Sequence, residues 1–266
     1  YYIKWDANFE IQNFGSKYLS GDNQSHLYVD YHLGLRKTLE RIRAKYPDLV
    51  IQCCSSGGGR VNYGLMPYFD EFWVSDNTDA QQRLFIQWGS SMFFPACAMA
   101  QHVSASPNHQ TRRVIPLKFR FDVAMTGRLG MEMKPSDLTE KELAYAKNAV
   151  ATYKEIRPII QQGNQYRIIS PYEKTGYASE LYITDDKSEA IFFAYKFEHY
   201  VNQFRPRFHF AGLDPAATYK LTEICRDGKA DHWEGRTFTG KFLMQQGVEI
   251  ALNGLFSSKV IRVVKQ

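Results

Sequence analysis

Hydrophobic and polar positions follow two patterns along the chain. Up to about residue 165, short apolar runs alternate with stretches of helical period. Ile3 and Trp5 lie in a strand expected over 1–6, and 9–25, with Gly15, Gly21 and several Asn and Ser, reads as a loop. Over 27–46, Leu27, Tyr31, Leu35, Leu39 and Ile42 form one stripe while Arg36, Lys37, Glu40, Arg41 and Arg43 lie off it. That spacing predicts a helix, and Pro47 stops it. Leu49-Val50-Ile51-Gln52-Cys53 is a run of the kind buried in parallel sheets. A strand near 72–75, a helix near 79–90, an apolar run over 91–97, a helix over 112–127 and a last strand over 128–133 follow. Thr139 and Glu142 form a capping box that opens the longest helix, about 140–161, and Gly163 closes it. Alternating strand and helix argue for a parallel sheet with right-handed crossovers.

From Tyr166 onward the runs are short and rich in β-branched and aromatic residues. They are Tyr166–Ile169, Glu180–Ile183, Ala190–Phe197, Arg207–Phe210, Tyr219–Ile224, Lys241–Met244 and Lys259–Val264. Turns such as Thr184-Asp185-Asp186 and Gly212-Leu213-Asp214-Pro215 separate them. This pattern predicts an antiparallel β-sandwich, with a domain boundary near 165.

Polar groups cluster where the first strands end. Asp6 closes the first strand, and Lys4, Asp6 and Asn8 share one of its faces. Cys54-Ser55-Ser56-Gly57-Gly58-Gly59-Arg60 follows the second strand, and Ser75-Asp76-Asn77-Thr78-Asp79 the third. Polar constellations at three successive strand ends suggest the mouth of a (β/α) barrel. Two carboxylates facing one pocket are the minimum equipment for breaking a glycosidic bond. An ionised Asp6 beside Lys4 suits a nucleophile; a structural Lys–Asp pair is the alternative. Asp76 lies nearer its strand end and suits chemistry, whereas Asp79 suits capping the next helix. The glycine run lacks the Lys-Ser/Thr ending of a phosphate loop and more simply lets backbone approach a ligand. His109 has no evident Ser or Cys partner and reads as a loop residue.

Composition narrows the classes. Aromatic residues make up 15% of the chain, and their rings suit stacking on sugar faces as well as cores. The 33 basic and 28 acidic residues are interspersed, with no basic block of the kind that binds nucleic acid. No apolar run reaches 18 residues, so no membrane partner is expected. Cys53, Cys54, Cys97 and Cys225 have no metal-ligand spacing; reduced thiols fit a cytoplasmic protein.

Together, Lys4-Trp5-Asp6-x-Asn8, the Cys-x-Ser-Gly-Gly-Gly-Arg turn, Ser75-Asp76-Asn77-Thr78-Asp79-Ala80 and the 102–111 run His-Val-Ser-x-x-Pro-Asn-His-Gln-Thr resemble glycoside hydrolase family 36, the retaining α-galactosidases. The match covers about 1–165 in order. It implies an α/β fold: the C-terminal half of a (β/α)8 TIM barrel, followed by an antiparallel β-sandwich over 166–266. By motif position Asp6 matches the nucleophile and Asp76 the general acid/base. Lys4, Trp5 and Asn8 match sugar ligands beside the nucleophile, and Cys54, Ser56 and Gly57 match the loop on the O2 side. No metal or organic cofactor is implied. The expected partner is an α-galactoside oligosaccharide, and the full-length enzyme is expected to be a homo-oligomer.

Three departures from the family pattern touch the outer subsites: Phe9-Glu10-Ile11 after Asn8, Val61-Asn62-Tyr63 after Arg60, and Arg112-Arg113 after Thr111. The Lys-Trp-Asp strand is the fourth of the family's barrel. The resemblance therefore implies that an N-terminal β domain and three strands precede Tyr1, carrying the acidic pair that reads galactose O4 and O6. Residues 1–266 alone are expected to have little activity. Two alternatives keep the site but change the chemistry's partner: a galactosyltransferase of the raffinose-synthase kind, and an α-N-acetylgalactosaminidase. A non-catalytic carbohydrate-binding protein is a further alternative, in which both carboxylates would be superfluous.

Overall fold

A computed structural model describes residues 1–7 and 15–266. The chain forms two compact units, Tyr1–Asp76 with Ala98–Ala100, and Asn77–Cys97 with Gln101–Gln266.

The first unit carries β1 (Tyr2–Asp6), α1 (Leu27–Lys45), β2 (Val50–Cys54), β3 (Glu71–Trp73) and the opening of β4 (Met99–Ser104). All four strands are parallel, with Asp6 opposite Cys54, Cys53 opposite Phe72 and Trp73 opposite Ala100. β2 and β3 are buried along almost their whole length without alternation, because both of their faces are covered. On α1 the buried positions are Leu35 and Leu39, one turn apart on the predicted stripe. Arg43 ties the helix to the sheet: Nη2 donates to the Tyr68 carbonyl at 2.7 Å and to Asp70 at 2.6 Å. Asp70 in turn accepts from the Ile51 amide at 2.7 Å. The start of β2, paired with β1 on one edge, is thus held on its β3 side by a side-chain relay ahead of the first β2–β3 register pair.

The second unit holds α2 (Ala80–Ser91), the rest of β4, α3 (Leu117–Ala124), β5 (Arg128–Glu132) and α4 (Glu140–Gln162). Five strands stand in the order β1-β2-β3-β4-β5, the simple sequence of a parallel barrel half. The predicted capping box is present on α4: Thr139 accepts from the Glu142 amide, and Glu142 accepts from the Thr139 amide at 3.0 Å.

The remaining strands are β6 (Asn164–Ile169), β7 (Tyr177–Ile183), β8 (Glu189–Lys196), β9 (Arg207–Phe208), β10 (Thr218–Ile224), β11 (Thr237–Thr239), β12 (Val248–Glu249) and β13 (Ser257–Lys265). Six form a sheet in the order β11-β10-β13-β8-β7-β6, and β12 pairs with β9 in a second. The printed pairings in both are antiparallel. Alternation along β8 divides the core in two. Ile191, Phe193 and Tyr195 pack with Phe119, Phe121, Ala149, Tyr153 and Ile156 of α3 and α4. Phe192 and Ala194 point the other way, to Phe208, Phe210, Trp233, Leu243 and Val248. Burying one such aromatic contributes about 1.5–3 kcal/mol.

Two local expectations change. Lys241–Met244 is not a strand but part of α5 (Gly240–Gln245), because the Thr239 side chain accepts from the Phe242 amide and starts a helix. The helix expected over 112–127 is shorter: α3 spans Leu117–Ala124 and begins directly after Pro116. No helix among the described residues is long and apolar enough to cross a membrane.

Candidate active site

The first unit places most of the expected site residues at the C-terminal ends of β1, β2 and β3. Asp6 is the last residue of β1 and is exposed; Lys4, two residues earlier, shares its face. The Lys4 ammonium lies 4.9 Å from the centre of the Trp73 ring, so the indole face holds the cation below the strand ends. Trp5 takes the opposite face. Asn8 lies outside the described residues.

Cys54 ends β2 directly beside Asp6. Its thiol is hydrogen-bonded to the Asp6 carboxylate and to the Gly57 backbone, and burial pushes its pKa up to about 11. Register carries the same row on to Trp73 at the end of β3. Asp76 follows three residues later, exposed, in the same unit as Asp6. Between the two carboxylate segments runs the glycine turn. Ser56 (φ 46°) and Gly57 (φ 86°) both adopt the left-handed region, and Ser56 is exposed there. A Cβ on Gly57 would lie 2.7 Å from Ser75 Cα and 3.2 Å from the Asp76 amide nitrogen. Only glycine lets this turn touch the Asp76 backbone.

Below this row, on the same face, lies a polar layer that the sequence reading missed. Tyr2 donates to Glu71 at 2.8 Å, and Gln52 Nε2 donates to the same oxygen at 2.8 Å. The signal was the two-residue period: Tyr2, Lys4 and Asp6, Gln52 and Cys54, Glu71 and Trp73.

In the second unit Asp79 is fully buried and caps α2, accepting from the Gln81 and Gln82 amides at 3.0 and 3.1 Å. It also accepts from Thr111 Oγ1 at 2.5 Å and pairs with Arg113 at 2.6 Å. Sequence reasoning found the cap but not the Thr111 and Arg113 contacts. The loop is shaped by Asn108 and not by His109: Asn108 is buried and accepts from the Gln110 and Thr111 amides, while His109 is exposed.

Residues 1–163 match the family model Melibiase, and 177–263 match the Glycosyl hydrolase family 36 C-terminal domain. The chain belongs to glycosyl hydrolase family 36. Among its family 36 relatives, probable alpha-galactosidase C of Aspergillus flavus is 36% identical over all 266 residues. Alpha-galactosidase AgaA of Geobacillus stearothermophilus is 39% identical over 220 residues, 83% of this chain and 30% of that protein. The crystal structure of AgaA superposes with a TM-score of 0.90 at 35% identity, covering 100% of this chain and 35% of that one. The expected fold, half of a TIM barrel followed by antiparallel sheet, is therefore the family 36 fold. The chain spans about a third of the length of the curated relatives it matches, 33% for the Aspergillus flavus protein.

Proposed function

We propose that these residues supply the bond-breaking groups of a retaining α-galactosidase, with 1–165 as the second half of its catalytic barrel and 166–266 as its C-terminal sandwich. The observation that carries the reading is the pair Asp6 and Asp76, both exposed in one unit, one at the end of β1 and one just beyond β3, with β2 and its glycine turn between them. Asp6 attacks the anomeric carbon while Asp76 protonates the leaving oxygen. Asp76 then takes a proton from water, which releases the sugar from Asp6 with its configuration retained. That mechanism sets the two carboxyl groups about 5–5.5 Å apart. Motif position assigns Lys4, Trp5, Asn8, Cys54, Ser56 and Gly57 to the sugar; of these Lys4 and Cys54 share the Asp6 face, whereas Trp5 lies on the other face of β1, against Arg60. Lys4 and the neutral Cys54 thiol are donors, which suits hydroxyl oxygens and the Asp6 carboxylate.

The substrate class is an oligosaccharide ending in α-galactose. Support comes from relatives named alpha-galactosidases and from solved complexes of AgaA variants with raffinose and with stachyose. Because those proteins are about three times as long, the activity is assigned to the full-length protein, which is expected to be a homo-oligomer.

The test is NMR of the products when the full-length protein is given raffinose or stachyose in water. Free galactose, released first as the α-anomer, is expected. Galactose released first as the β-anomer overturns the retaining mechanism. Galactosylated acceptor in place of free galactose overturns hydrolysis in favour of transfer. No reaction at all overturns the substrate class.

A further inference from the structure

The Arg60 side chain and the Ser55 hydroxyl reach the two backbone carbonyls that flank Asp6. Arg60 Nη2 donates to the Trp5 carbonyl at 2.5 Å, and Ser55 Oγ donates to the Ala7 carbonyl at 2.8 Å. The Ala7 amide extends the ladder by donating to the Cys54 carbonyl at 3.2 Å. The guanidinium lies 5.9 Å from the Trp5 ring centre and 5.8 Å from that of Phe69, and it also donates to the Cys53 thiol. Trp5 and Cys53 point away from the face that carries Asp6 and Cys54. Arg60 therefore grips the back of the strand end. At its other side the same turn meets Ser75 and Asp76 through Gly57.

We propose that Arg60 and Ser55 are positioning residues that clamp residues 5 and 7 and thereby hold the Asp6 carboxylate in place for attack. The inference rests on Asp6 being the nucleophile. At Ala7 the β1 strand reaches the end of its ladder on β2, where strands fray most easily, and a nucleophile must be held to within about 0.5 Å to be useful. Two side-chain donors on same-side carbonyls restrain the peptide that enters Asp6, through Trp5, and the one that leaves Ala7, so the backbone is pinned on both sides of the residue. The rings of Trp5 and Phe69 fix the guanidinium plane, which a lysine ammonium cannot reproduce.

The test uses Arg60→Ala, Arg60→Lys and Ser55→Ala in the full-length protein, with aryl α-galactosides of graded leaving-group ability. Arg60→Ala is expected to lower kcat on the order of 100-fold, the cost of a misplacement of about 1 Å, and to move KM less than about threefold. The loss should be similar for good and poor leaving groups, because the nucleophile and not the acid is displaced. Arg60→Lys is expected to recover part of kcat, and millimolar guanidinium to restore Arg60→Ala several-fold. Ser55→Ala is expected to lower kcat about tenfold. A folded Arg60→Ala protein with kcat within twofold of the parent, or with the loss confined to KM, overturns the clamp. If Arg60→Ala does not fold, Arg60→Lys and Ser55→Ala decide, and normal kcat in both overturns it. Asp6→Asn run in parallel separates the two readings. A dead Asp6→Asn with active clamp variants refutes the clamp alone, whereas an active Asp6→Asn refutes the nucleophile assignment.

Discussion

Asp6 and Cys54 stand side by side across the parallel register of β1 and β2, and the Cys54 thiol donates a hydrogen bond to the Asp6 carboxylate. The thiol is buried, and burial pushes it up to about 11, so at neutral pH it is a neutral donor. It steadies the carboxylate without adding a second negative charge beside it.

Asp6→Asn should abolish turnover of aryl α-galactosides in the full-length protein and leave the fold intact, since the change is nearly isosteric. Azide should partly restore reaction by replacing the missing nucleophile, giving the β-galactosyl azide. Steady-state rates and the anomer of the azide product check this, and near-normal turnover by the variant would falsify the assignment.

Asp76 and Asp79 should separate cleanly. Asp76→Ala should cost far more rate on poor leaving groups than on good ones, because good ones need little protonation. Asp79→Asn should act on stability, by about 2–3 kcal/mol, since the buried carboxylate caps α2 and pairs with Arg113. Leaving-group plots and urea unfolding of both variants are the measurements. A steep leaving-group effect at position 79 would mean that the two roles are exchanged.

The cysteines should differ in reactivity. Cys53, Cys54 and Cys225 are buried, and burial raises all three thiols, Cys54 and Cys225 to about 11. Only about one Cys54 in a thousand is then thiolate at pH 8. Cys97 is half-buried and should be alkylated first. Mass spectrometry of iodoacetamide adducts at pH 8 checks the order, and fast labelling of Cys54 in the native protein contradicts it.

The Lys118–Asp122 pair should give the C-terminal half a pH-dependent weakness. Lys118 Nζ and Ser258 Oγ each donate to Asp122 at 2.7 Å, joining α3 to β13. Burial raises the Asp122 carboxyl above its usual range, while Lys118 and Ser258 pull it down. A folded pKa above the unfolded one gives stability that is present in acid and lost as pH rises through the folded value. Lys118→Met removes the main downward influence, so its deficit should be small at pH 4 and grow toward about 3–5 kcal/mol at pH 8. Urea unfolding across that range measures it, and a deficit that does not change with pH contradicts it.

Much of this molecule is set by local chemistry that the sequence alone carries. The period-3.6 pattern and the short apolar runs determined α1, α4, β2, β8 and β13, because a helix must bury one face and a strand inside a covered sheet must be largely apolar whatever its neighbours. The Thr139 box and the Asp79 cap were legible because capping is settled within four residues. The acidic strand ends and the glycine turn were legible for the same reason: residue type and strand position are local. Other features were decided only in three dimensions. Lys241–Met244 is apolar enough for a strand and became helical because Thr239 capped it. The donors that hold Asp79, Thr111 and Arg113, lie more than 30 residues away in sequence. Arg60 was visible in its motif, but its grip on Trp5 across 55 residues was not. Side-chain to backbone hydrogen bonds of this kind carry no periodic signature, since any carbonyl can accept them. Only the register of β1 on β2 brought the Trp5 and Ala7 carbonyls within reach of one turn.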